Sequence, residues 1–297
     1  MGKLSKLFGL EKKGKISFVT DKQSYIAAIV VKATGAEKVN FFENTGSVVY
    51  PHVHKNELYK EKIVVLEIPQ TLEPGLHSYP FQFHLPATAP NTFELKNDYM
   101  QNLTSFNASV KYKFMATLEV DGFLTKDLKE TIEVAVQQQQ RPEAVEPVRD
   151  STILNVKSMG LFKKGTCELA AATDKNVYRA GETAQIQCEI KNHSKVGISA
   201  MRCRLYLDIT VPVSYGRHTF EREIAEAKFP GVAAGKEETQ SLPFQLVSKL
   251  NGGVMLPSST GRNFECAYRI MIDGDISWGK DIKLTLPINI EPTVLQP

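Results

Sequence analysis

Apolar and polar residues alternate with a period of two along much of the chain. In "AQIQCEIK" (184–191) the set Ala184, Ile186, Cys188 and Ile190 alternates with Gln185, Gln187, Glu189 and Lys191. "MRCRLYLDITV" (201–211) puts Met201, Cys203, Leu205, Leu207, Ile209 and Val211 on one face, and "VKYKFMATLEV" (110–120) does the same with Val110, Tyr112, Phe114, Ala116, Leu118 and Val120. "IKLTLPINI" (282–290) turns Ile282, Leu284, Leu286, Ile288 and Ile290 inward, and its Pro287 predicts an edge or strand-end position. Successive side chains of a strand point to opposite faces, so each stretch predicts a strand with one dry and one wet face. A dry face needs a second sheet over it. Many such strands, separated by turns such as "EPG" (73–75), "ATAPN" (87–91), "NHSKVG" (192–197) and "NGG" (251–253), predict an all-β antiparallel sandwich architecture. The best candidate for a helix is "FEREIAEAKF" (220–229).

The pattern also repeats. "TDKQSY" (20–25) returns as "TDKNVY" (173–178), each preceded by a Lys-Lys-Gly and a short apolar run, in "LFGLEKKGKISFV" (7–19) and "MGLFKKGTCELAAA" (159–172). "SYPFQFHLP" (78–86) answers "SLPFQLV" (241–247), and "ASVKYKFMATLEVDG" (108–122) answers "FECAYRIMIDGDIS" (264–277). Matches recurring in one order indicate two homologous lobes. Between them "QQQQRPEAVEPVRD" (137–150) is rich in Gln, Pro and charge and reads as a linker. The expected organisation is a first lobe over 1–136, a linker over 137–157 and a second lobe over 158–297.

Composition refines this picture. A length of 297 residues suits two domains, each with a core, and 42% apolar content is that of a soluble globular protein. No apolar run could span a bilayer, and the N-terminus lacks the apolar stretch of a signal peptide, so a cytosolic location is expected. Without a secretory signal the sequons "NLT" (102–104), "NAS" (107–109) and "NHS" (192–194) are expected to stay unmodified. Cys167, Cys188, Cys203 and Cys266 form no C-x-x-C pair and fall on the apolar phase of predicted strands, as buried reduced thiols would. A net charge of +3 does not point to nucleic acid. Residues 1–15 are locally basic, with Lys3, Lys6, Lys12, Lys13 and Lys15 against Glu11 alone. These lysines read either as a solvated tail and first strand or as a contact for anionic headgroups or phosphorylated peptides.

A search for chemistry returns little. There is no G-x-S-x-G, P-loop, G-x-G-x-x-G or H-E-x-x-H. "HVH" (52–54) sets His52 and His54 on one side of a strand, and no neighbouring Cys or paired carboxylate completes a metal site in the sequence. No catalytic residue, metal or cofactor is expected.

"ATDKNVYRAGETAQIQCEIKNHSKVGISAMRCRLYL" (172–207) resembles the opening of an arrestin C-lobe, and "LEPGLHSYPFQFHLPATAPNTFE" (72–94) followed by "ASVKYKFMATLEVDG" resembles an α-arrestin N-lobe. "LTLPINI" (284–290) is similar to the last strand of an arrestin C-lobe. The resemblance implies two tandem Ig-like β-sandwich lobes joined by a linker. It also implies a non-enzymatic adaptor that binds cytoplasmic, in some cases phosphorylated, parts of membrane cargo for endocytosis and endosomal sorting, working with trafficking proteins at plasma membrane or endosomes. Lys12 and Lys13 fall near the paired lysines that touch phosphate in arrestins. The alternative is a retromer-type arrestin-like subunit inside a stable sorting complex. Two departures stand out. "SYIAAI" (24–29) lacks the Gly-Glu turn of "VYRAGETAQI" (177–186), and no Pro-Pro-x-Tyr motif for ubiquitin-ligase recruitment occurs.

Overall fold

The alternating segments fold into the strands their period predicts. In a computed structural model, residues 11–44, 46, 48–67, 69–96, 104–120, 127–137, 145–158, 162–249, 255–277 and 279–291 are described. Among them every regular element is a β-strand. The first lobe holds β1 (Glu11–Thr20), β2 (Ser24–Asn44), β3 (Val49–Leu66), β4 (Gln70–Leu72), β5 (Gly75–His84), β6 (Phe93–Leu95), β7 (Thr104–Val120) and β8 (Leu128–Val134). One sheet runs β3-β2-β7-β6, with β4 added on β2 and β8 on β7, and it faces a two-stranded β1-β5 sheet. The second lobe holds β9 (Arg149–Ser158), β10 (Phe162–Thr173), β11 (Val177–Arg179), β12 (Thr183–Asn192), β13 (Ile198–Val213), β14 (Gly216–Val232), β15 (Glu237–Gln245), β16 (Ser259–Thr260), β17 (Glu265–Ile276) and β18 (Ile282–Glu291). Its sheets run β15-β12-β10-β9 and β11-β18-β17-β13-β14, with β16 on β17. The architecture is the all-β pair of antiparallel sandwich lobes that the pattern implied. The one parallel ladder among the described residues joins β11 to β18.

The dry faces meet as expected. Ala184, Ile186, Cys188 and Ile190 of β12 and Cys203, Leu205, Leu207 and Ile209 of β13 are all buried. One apolar cluster joins Phe41, Phe93, Phe106 and Tyr112 of the first lobe to Phe264, Tyr268 and Ile270 of the second. The lobes therefore share a core. Two smaller clusters, around Phe81, Phe83 and Phe114 and around Ile26, Ile29 and Leu118, fill the rest of the first lobe.

The structure departs from the sequence reading in three places. Residues 149–157, read as linker, belong to β9, which pairs with β10 from Arg149↔Ala172 to Ser158↔Phe162. The neighbouring prolines and charges had masked that stretch's own period, which carries Leu154 and Val156 inward. The candidate helix 220–229 lies inside β14. A bulge there, opposite Leu205/Tyr206, leaves Ile224 as an extra residue, so Ile224 and Ala225 are buried in succession. Two adjacent buried residues break period two and imitate a helical face. The repeated hexapeptide serves different ends in the two lobes. Asp174 accepts the Tyr178 hydroxyl at 2.7 Å and the Gln185 amide at 2.9 Å, and Lys175 pairs with Glu182 at 2.7 Å across the Gly181 turn, whose φ is +87°. In the first lobe Tyr25 is exposed. Pro287 takes the edge position expected of it, and Pro80 and Pro243 likewise lie within edge strands. Each stands where the strand has an open edge: β5 pairs only with β1, β15 ends its sheet, and β11 joins β18 only from Asn289 onward.

Asn192 of the third sequon is fully buried, and its amide donates to the carbonyls of Val196, Val232 and Ala233. A side chain committed in this way cannot receive a glycan in the folded state. The four cysteines are free and buried. Burial pushes the Cys167 thiol up to about 11 and Cys188 to about 12, and raises Cys203 and Cys266 further. The thiolate is the reactive form. We expect the native protein to be inert to a thiol-exchange dye at pH 8 and to release four equivalents of colour in denaturant; rapid native reaction of even one thiol would contradict this burial.

Candidate docking surface

Two hairpin tips, one from each lobe, lie side by side. The first is the β2–β3 hairpin, whose register sets Phe41 opposite His52, Phe42 opposite Pro51, Glu43 opposite Tyr50 and Asn44 opposite Val49. The second is the β13–β14 hairpin, which closes at Val213↔Gly216 and carries Ser214 and Tyr215 in its turn. Glu43 joins them: its Oε2 accepts the Ser214 hydroxyl at 2.9 Å and the Ser214 amide at 3.4 Å. The same oxygen lies 2.7 Å from His52 Nε2. His52 in turn stacks on Phe41 with ring centroids 4.7 Å apart, so the buried side of the hairpin fixes the imidazole that orients the carboxylate.

These contacts hold the Glu43 carboxyl below the usual carboxylate range, His52 contributing most and Ser214 next. The sign follows from linkage. A depressed folded-state pKa adds stability at pH above the ordinary carboxylate value, and the contribution is lost as pH falls through the lowered one. The clamp between the tips is therefore intact at neutral pH and weakens in acid.

Around the clamp several apolar side chains face water, beside the exposed polar Asn40, Ser214, Arg217, His218 and Thr219. Phe42, Val48, Val49, Tyr50 and Val53 are exposed on the first hairpin, and Tyr215, 98% exposed, stands out from the second. Scattered exposed hydrophobes need no explanation, whereas a group concentrated at two bridged tips is a candidate for an interaction surface. Over comparable lengths of the two hairpins the ionic residues other than Glu43 are Lys38, Lys55 and Arg217 on one side of the balance and Asp208 and Glu221 on the other, with His52, His54 and His218 among them.

His52 and His54 lie on one side of β3 with ring centroids 6.0 Å apart. The carboxylate that the sequence did not offer them is supplied by Glu43 on the neighbouring strand. One carboxylate bound to one imidazole and a serine is a hydrogen-bonded clamp and not a metal-ligand set. Among the described residues the carboxylates close enough together to hold a cation are Asp273, Asp275 and Asp281. Arginines cover that group: Arg204 donates to Asp273 at 2.9 and 2.6 Å, and Arg202 donates to Asp275 at 3.0 Å.

This cluster is part of a ladder over the outer face of β13, β14 and β17. Arg269 donates to Asp208 at 2.6 and 3.2 Å, approaches Glu221 at 2.8 Å and lies over the Tyr206 ring at 4.5 Å. The face that the sequence marks as wet is thus half covered by its own guanidinium groups.

Of the five lysines, Lys3 and Lys6 lie outside the described residues, and of Lys12 only the backbone position in β1 is described. Lys13 and Lys15 are exposed on the outer face of β1, across from Gln82 and Pro80. The sheet β15-β12-β10-β9 carries a concavity of ≈ 830 Å³ on its outer side, floored by Ala170 and Ala172 and flanked by Arg149, Gln187 and Glu189.

Comparison with known proteins follows the same outline. Residues 163–293 match the family model of the arrestin (or S-antigen) C-terminal domain. Over 239 residues the chain is 25% identical to arrestin domain-containing protein A of Dictyostelium discoideum, an alignment covering 80% of this chain and 39% of that protein. Arrestin domain-containing protein 1 of Rattus norvegicus is 26% identical over 211 residues, covering 70% of this chain and 44% of the relative. Arrestin domain-containing protein B of Dictyostelium discoideum is 22% identical over 219 residues, covering 74% and 33%. The chain spans less than half the length of these curated relatives.

Proposed function

We propose, from the premise that this chain is an arrestin-family protein of the arrestin domain-containing type, that it is an adaptor whose bridged hairpin tips dock cytoplasmic parts of membrane cargo for endocytosis and endosomal sorting. The observation that carries the reading is the Glu43–Ser214 clamp, which brings the exposed apolar side chains of segments from two lobes into one surface. Aromatic anchors such as Tyr50 and Tyr215 gain binding energy by desolvation at a modest entropic cost. Among the described residues no helix is long and apolar enough to cross a membrane. Lys13 and Lys15, with the lysines that precede them, provide a second contact, for phosphate groups on cargo or for anionic headgroups.

A photo-crosslinking residue at Tyr215, used in cytosol mixed with native membranes, tests the reading. The expected adducts are on cytoplasmic segments of membrane proteins, at least tenfold fewer after Val49→Asp with Tyr50→Ser and about threefold fewer after Lys13→Ala with Lys15→Ala. Adducts unchanged by the hairpin substitutions would remove the docking surface. Stoichiometric recovery of a large helical scaffold in place of membrane cargo would move the reading to a subunit of a stable sorting complex.

A further inference from the structure

A carboxylate is buried between the lobes without an ion pair among the described residues. Glu37 of β2 is 0% exposed. Its Oε2 accepts the Arg262 amide at 2.9 Å and its Oε1 the Asn263 amide at 2.6 Å, both from the turn between β16 and β17 in the other lobe. Two successive backbone N–H groups converging on one anion form a nest, and bonds to an ionised acceptor are the stronger kind. The turn is shaped for this guest. Gly261 donates to the Phe264 carbonyl at 2.8 Å, and a Cβ on Gly261 would lie 2.9 Å from both Cδ and Oε1 of Glu37. No larger residue fits there without moving the carboxylate.

A buried carboxylate is tolerated only where its hydrogen bonds are met. Here the partners belong to the opposite lobe, so Glu37 is satisfied at one arrangement of the lobes and must find water at any other. The nearby contacts are more permissive. Phe93 stacks on Phe264 with centroids 4.8 Å apart, and Asn91 donates to the Ser258 carbonyl at 3.1 Å. Ring faces slide over one another at little cost. An ionic nest does not.

We infer that Glu37 and the turn Gly261–Phe264 form a latch that fixes the angle between the lobes and so keeps the two docking hairpins in one surface. Glu37 is thereby a positioning residue for docking. This rests on the docking role given above to the hairpin tips, and its test separates the two claims.

Spin labels at Leu128→Cys and Ile153→Cys, exposed sites on opposite lobes, report the interlobe distance without any cargo, the native cysteines being buried. Glu37→Gln, which turns an amide donor toward the nest, and Gly261→Ala, which crowds the carboxylate from the other side, are each expected to broaden the distance distribution at least twofold. Crosslinking through Tyr215 should fall about fivefold in the same variants. Distributions superimposable on wild type would overturn the latch and leave the docking surface standing. Broadened distributions with wild-type crosslinking would overturn the positioning role alone. Should both variants fail to fold, hydrogen exchange on the unaltered protein decides: the Arg262 and Asn263 amides are expected to exchange at least 100-fold more slowly than in an unstructured peptide, and exchange at the peptide rate would overturn the latch.

Discussion

Replacing Asp273 by alanine is expected to lower the unfolding free energy by about 3 kcal/mol, the low end of the ~3–5 kcal/mol typical of stripping one partner from a buried ion pair. Asp273 is 0% exposed, and its Oδ1 receives both the Nε and an Nη of Arg204. Its Oδ2 lies 3.9 Å from Arg202 Nε. Removing the carboxylate leaves two neighbouring guanidinium groups without the charge they share. The low end applies because Arg204 keeps Glu223 at 3.7 Å and Arg202 keeps Asp275 and Glu226. Urea unfolding would report the loss as a shifted midpoint at constant slope. Asp273→Leu combined with Arg204→Met should lie within about 1 kcal/mol of wild type, since a matched apolar pair replaces both charge and countercharge. An Asp273→Ala variant as stable as wild type would mean that the ladder is ornamental to the second sandwich.

That ladder shows where sequence reading stops. Its residues occupy the polar phase of strands whose apolar phase was evident, and "MRCRLYLDITV" named both faces correctly. Which arginine meets which aspartate depends on the register of β13 against β17, where Arg202 faces Asp273 and Asp208 faces Ala267. Period two fixes the face of a strand and not its register, which turns and bulges set. The bulge at Ile224 hid β14 for a related reason, because the extra residue exists only relative to the partner strand.

The proposed docking surface was illegible for a topological reason. "FFENTGSVVYPHVH" and "VPVSYGRH" are unremarkable alone, and they become one site because residues 171 positions apart in sequence share a hydrogen bond. By contrast the all-β sandwich class was legible, since period two and the turns that interrupt it are written in the local sequence. The basic N-terminal segment stood out because its signal is purely local.

Phe264→Ala is expected to have the other large effect, a loss of about 3–5 kcal/mol for truncating a fully buried aromatic. Its mode of action is as informative as its size. Phe264 is 0% exposed and belongs to the cluster that joins the two lobes. It stacks on Phe93 of the first lobe, and it adjoins the turn that holds Glu37. While that shared core is intact the lobes stabilise one another, so unfolding is expected as a single transition with coincident midpoints by circular dichroism and by fluorescence of the one tryptophan, Trp278, in the second half of the chain. The cavity left by Phe264→Ala should uncouple them and yield two separated transitions. A control truncation inside the second sandwich, Leu207→Ala, removes a residue just as buried and should cost a similar amount while keeping the midpoints coincident. If Phe264→Ala merely shifted one sharp transition as Leu207→Ala does, coupling between the lobes would have to reside elsewhere than in this aromatic contact.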